Sequence, residues 1–166
     1  MAMTLVSTVT LGTAASSIQF TGIPATGKDL LIITSLRSEL NDGRVFDTTQ
    51  LLINNDAGTK TTRALRGDGS SVVSFTVTIN QGAVAATQSS TSNTFSNDTV
   101  YIANYTAVSN HSISVDSVNE NNATSAFQYL SAQRDGQTTA ITSLSFSPTQ
   151  STNFVAGSTA SLYIIS

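Results

Sequence analysis

The chain has 166 residues, a net charge of -3, 39% hydrophobic and only 10% charged residues, and no cysteine. That length suits one domain around one core, and the absence of cysteine excludes disulfides and thiolate metal sites. The few scattered Lys and Arg leave no basic track for a nucleic-acid backbone. No run approaches the roughly 18 apolar residues of a membrane-spanning helix, and the N-terminus lacks the charged start and apolar stretch of a signal peptide, so neither nucleic acid nor membrane is an expected partner.

Fifty-one of the residues are Ser or Thr, while Lys, Glu and Met are scarce, a mixture that favours strands and turns. After a short N-terminal segment (1–3), Leu5, Val9 and Leu11 alternate with Thr4, Thr8 and Thr10, and Ile18 and Phe20 repeat the pattern, as half-buried strands do. Gly22-Ile23-Pro24-Ala25-Thr26-Gly27 is a turn, since Pro24 has no donor and the glycines tolerate positive φ. Leu30 to Leu36 begins apolar on both faces and is expected as a central strand covered from both sides.

Ser38 to Thr49 reads as an exposed polar loop, followed by strands over Gln50 to Asn54 and Thr61 to Arg66. Phe75, Val77 and Ile79 alternate with Ser74, Thr76 and Thr78 as a clear amphipathic strand. About 81–97 is rich in small and polar residues and predicts a long surface loop with a short edge strand near Phe95. Five further strands are expected over Thr99 to Thr106, Ser112 to Val118, Ser125 to Ala132, Ile141 to Ser147 and Ser158 to Ile165. Some ten short strands without a helix or a repeat predict a single all-β domain over residues 1–166, a two-sheet antiparallel β-sandwich of jelly-roll type.

The residues that could carry chemistry are few. Nucleophilic catalysis by Ser or Thr needs a base, and the one histidine, His111, follows Asn110 in an expected hairpin, a surface-turn position that singles out no nucleophile. Of eight Asp and two Glu, Asp42, Asp56, Asp68 and Asp135 lie near glycines and read as turn caps. Asp116 and Glu120, in the stretch Asp116 to Asn122, offer oxygens of the kind calcium takes but match no calcium-loop spacing. No catalytic residue, metal site or cofactor is therefore expected. Four matches to the glycosylation acceptor pattern, at Asn97, Asn104, Asn110 and Asn122, are what chance yields at this Ser and Thr content. Tyr101 and Tyr105 share one face of their expected strand and are the candidate contacts for a glycan or a partner.

Several stretches carry a resemblance: Phe20 to Leu30, Tyr101-Ile102-Ala103-Asn104-Tyr105-Thr106, Asp116 to Thr124, and Phe154-Val155-Ala156-Gly157-Ser158 ahead of Leu162-Tyr163-Ile164. Together they resemble a family of tailed-bacteriophage virion proteins. The resemblance implies a β-sandwich part of the particle without an active site, found both free-standing and at the ends of tail fibres. Because the chain starts almost at its first strand and has neither collagen-like repeats nor heptads, the expectation is a free-standing capsid decoration or cement protein. The resemblance further implies a homotrimer seated on the major capsid protein or another virion protein, in a virion assembled in the host cytoplasm. The alternative is a tail-fibre or receptor-binding module that recognises host surface glycan.

Overall fold

A computed structural model describes residues 2–56, 60–121 and 126–166. Among them are twelve strands and no helix: β1 (Met3–Thr10), β2 (Ile18–Thr21), β3 (Asp29–Ser35), β4 (Phe46–Ile53), β5 (Lys60–Gly67), β6 (Val72–Val77), β7 (Gln81–Ala86), β8 (Asn97–Ile102), β9 (His111–Glu120), β10 (Ala126–Asp135), β11 (Ser143–Pro148) and β12 (Thr159–Ile165). They form an eight-stranded sheet in the order β1-β12-β3-β8-β9-β10-β5-β6 and a four-stranded sheet in the order β2-β11-β4-β7. Every strand pairing is antiparallel. The chain is the all-β, two-sheet sandwich that its alternation predicts.

Without the hairpins β5–β6 and β9–β10, the sheets are β1-β12-β3-β8 and β2-β11-β4-β7, and each successive strand changes sheet except from β4 to its partner β7. Early strands thus pair with late ones, β1 with β12 and β2 with β11. The two hairpins join each other through β10 and β5 and lengthen one sheet by four strands. The longer sheet therefore overhangs the shorter one.

The core lies where the sheets overlap. Leu30, Ile32, Val100, Ile102 and Leu162 of the long sheet meet Ile18, Leu51, Ile53, Leu144 and Phe146 of the short one, all buried. Each fully buried Leu, Ile or Phe contributes about 1.5–3 kcal/mol of transfer free energy, which replaces any staple in this cysteine-free chain.

Three expectations about elements need correction. First, β7 occupies the start of the predicted surface loop and is buried along its whole length. Its residues are small because the space is small: a Cβ on Gly82 would stand 2.5 Å from Thr49 Oγ1 and 2.8 Å from Phe146 Cδ1. The free edge of β7 is closed by Leu36 to Ser38, with Ala86 N donating to Leu36 O and Ser38 N to Ala86 O. No strand forms at Phe95, and the loop that remains is pinned by the buried Arg37 guanidinium, which donates to the carbonyls of Ser90, Thr91 and Thr94.

Second, the predicted loop over Ser38 to Thr49 turns into β4 at Phe46. There Asp47 is buried, accepting from Gln150 N (3.1 Å) and Ser151 Oγ (2.7 Å). Third, β3 is covered on one side only. Leu30 and Ile32 are in the core, whereas Leu31 is half-buried and Ile33 is 41% exposed. No layer lies over the other face of the long sheet among the described residues.

Candidate interaction surface

Residues paired across neighbouring strands share a face, so the register draws the outer face of the long sheet. One row runs through all eight strands: Thr8, Ser161, Ile33, Thr99, Asp116, Leu130, Leu65 and Ser74. The next row runs from Leu5 through Tyr163, Leu31, Tyr101, Ser114, Ala132 and Arg63 to Thr76. Large aliphatics at solvent and hydroxyls between them are the character of this face.

Its middle is an open groove of about 690 Å³ over β8, β9, β10, β5 and β6. Leu65, Leu130 and Ala132 give it an apolar floor, and among the described residues Arg63 and Asp116 are the only charged ones that line it. Eight strands spaced ~4.8 Å and four side-chain rows make a face of roughly 700 Å². That is close to the ~800 Å² each partner contributes to a standard protein–protein interface.

Tyr101 lies on this face, half-buried, and its hydroxyl donates to Asp29 Oδ2. The bond holds the Asp29 carboxyl below its ordinary range, helped by the Asn104 amide at 2.8 Å, and raises the Tyr101 phenol. Tyr105 is elsewhere. β8 ends at Ile102, and Asn104 takes a positive φ of 51°, which breaks the alternation and turns the next side chain inward. Tyr105 is fully buried, donating its hydroxyl to Pro24 O, so the two tyrosines do not form the shared, partly exposed face expected of them.

His111 also departs from expectation. It is the first residue of β9 and 1% exposed, with Nε2 3.0 Å from Thr139 O, because the strand begins before the predicted turn has ended. Its register partner is Asp135, which in turn pairs with Lys60. Asp135 is no turn cap at the surface: it is fully buried, accepting from Lys60 Nζ (2.7 Å), Asn80 Nδ2 (2.6 Å) and Gln137 N (2.8 Å). Three residues far apart in the chain thus meet on the inner face. One-dimensional reading could not find the group, since only the pairing of β9, β10 and β5 assembles it. Its members are all shielded from a substrate.

Asp98 is a second buried carboxyl. It accepts from Thr34 Oγ1 (2.8 Å) and Ser96 Oγ (2.6 Å), with no cation beside it, and burial pushes its pKa up to about 7. Asp42 and Asp68 do cap turns, accepting from the amides of Arg44 and of Ser70 and Ser71. Asp116 faces outward from β9, and Asn122, the last residue of the oxygen-rich stretch considered for calcium, lies outside the described residues. Among the described residues no three His, Asp or Glu side chains converge as metal ligands.

Comparison with known family models, curated proteins and solved structures finds no match.

Proposed function

We propose that this chain is a non-enzymatic structural protein of a bacteriophage particle, a capsid decoration or cement protein. In this reading the outer face of its long sheet lies against the major capsid protein. The observation that carries it is that face itself: eight strands wide, uncovered among the described residues, with Ile33, Leu65 and Leu130 at solvent and Arg63 and Asp116 as the charged residues of its central groove. Depletion of charge around apolar side chains is what distinguishes the centre of an interface from ordinary surface. The resemblance of the Phe20 to Leu30, Tyr101 to Thr106 and C-terminal stretches to tailed-phage virion proteins supplies the setting.

A shell lattice suits a face of modest size. Each copy needs to add only a little binding energy, because linked copies in a homotrimer convert later contacts into intramolecular ones. Receptor binding at a tail-fibre tip draws less support, since Tyr105, one of the two residues proposed for a glycan, is enclosed in the core. Copy number separates the two readings. Quantitative mass spectrometry of purified particles should find the chain at hundreds of copies, comparable to the main shell protein; a few dozen or fewer would place it in the tail and overturn decoration.

A further inference from the structure

The overhang of the long sheet creates a cleft on the side opposite the docking face. There the inner faces of β10 and β5 carry Phe127 and Arg66, β6 adds Phe75, and β4 approaches with Phe46. Phe46 stacks on Phe127 with ring centroids 4.2 Å apart and planes 15° from parallel. The Arg66 guanidinium lies 5.4 Å from the Phe46 centroid and 5.1 Å from that of Phe75, held by two ring quadrupoles.

Stacking fixes the position of that guanidinium but uses none of its five N–H donors. Among the described residues no hydrogen bond or ion pair reaches the Arg66 guanidinium, although the side chain is half-buried. A free arginine would extend its head into water. Here it is kept at the wall of a cleft of about 470 Å³ shared with Arg44, Phe46, Thr48, Phe127 and Gln150. Arg44 is itself oriented, Nε 2.9 Å from Asp42 Oδ2 and Nη1 donating to Gln150 Oε1 at 3.0 Å. Two of the seven cations of an acidic protein thus line one cleft; among the described residues its lining holds no carboxylate, although Asp42 pairs with Arg44.

We infer that this cleft is a binding site for a carboxylate-bearing sugar of about monosaccharide size, with Arg66 as its anchor. A planar guanidinium matches a planar two-oxygen acceptor through paired charge-assisted hydrogen bonds. Thr48 and Gln150 supply neutral partners for hydroxyls, and the phenylalanines supply an apolar wall. The volume is within the range of small-ligand pockets. Inorganic phosphate fits the guanidinium equally well but makes no use of the wall or the neutral groups. The site is independent of the capsid contact, because it lies on the other side of β10 and β5.

Calorimetric titration of the full chain with glucuronate, glucose and inorganic phosphate tests this. Saturable glucuronate binding is expected, weakened at least tenfold by Arg66→Gln and severalfold by Arg44→Gln, with glucose binding far more weakly. Circular dichroism and thermal melting check each variant for folding. Should Arg66→Gln not fold, Arg66→Lys, which keeps the charge but loses the planar fork, is expected to bind glucuronate several times more weakly. Absence of glucuronate binding overturns the proposal, as does unchanged affinity in the folded variants. Glucose binding as tightly as glucuronate would remove the role of the carboxylate, and phosphate binding in place of glucuronate would overturn the assignment to a sugar acid.

Discussion

Leu130 on β10 pairs in register with Leu65 on β5, and both side chains point outward, 38% and 48% exposed. Two adjacent leucines at solvent contribute little to the stability of the isolated chain, because burial of apolar area is what stabilises. Changes at exposed positions usually stay within about ±0.5 kcal/mol. Leu65→Ser and Leu130→Ser should therefore leave the urea-unfolding midpoint nearly unchanged. A loss of several kcal/mol in either variant would mean that the outer face is covered within the chain itself.

Asp98 gives the chain an inverted acid response. With its folded pKa at about 7 against an ordinary 3.8, the folded state holds a proton that the unfolded chain releases. The stability contributed by this proton is fully present below about pH 4 and is lost as pH rises toward 7, at up to ~1.4 kcal/mol per pH unit, levelling off above that. Asp98→Asn removes the titration. Unfolding free energies of the two proteins should be close at pH 4, and the variant should be the more stable by a few kcal/mol at pH 8; parallel pH profiles would contradict a raised Asp98.

The buried Lys60–Asp135 pair should respond unequally to single and double replacement. Lys60→Met removes the cation and leaves an enclosed carboxylate with only the Asn80 and Gln137 donors, for an expected cost of about 3–5 kcal/mol. Adding Asp135→Asn to Lys60→Met takes away the stranded charge and should recover part of that loss. Denaturant unfolding of the three proteins measures the difference, and equal stability of the single and double variants would show that Asp135 does not depend on Lys60.

Gly82 and Gly12 form a matched pair for the close packing of β7. An alanine methyl at Gly82 meets Thr49 Oγ1 and Phe146 at under 3 Å, whereas nothing lies within 4 Å of one at Gly12. Overpacking of this kind costs about 1–3 kcal/mol. Thermal melting should show Gly82→Ala clearly destabilised and Gly12→Ala not destabilised.

The sandwich was legible where one face is buried and the other wet. In β9, buried and exposed residues alternate without a break from His111 to Glu120, the pattern that identifies a strand in one dimension. β7 escaped because small side chains carry no such signal, and the reason for their size, the approach of Thr49 and Phe146, comes from other strands. His111 and Asp135 read as turn residues because polarity usually means exposure; their burial depends on Lys60, Asn80 and Thr139 arriving from elsewhere. The outer face of the long sheet was hidden for a related reason. Ile33, Leu65 and Leu130 look like core residues in isolation, and only the register across eight strands places them together at solvent. Nothing in the sequence around Arg66 marks its stack between two phenylalanines.

In the proposed function the outer face of the long sheet is the contact surface with the capsid. Its most direct test is co-sedimentation of the purified chain with particles stripped of it, comparing the natural protein with a Leu65→Asp, Leu130→Asp double variant whose fold is verified by its melting curve. The natural chain should re-bind to saturation, and the double variant should lose at least tenfold in affinity while melting as before. Re-binding of the folded double variant with undiminished affinity would contradict the assignment of this face.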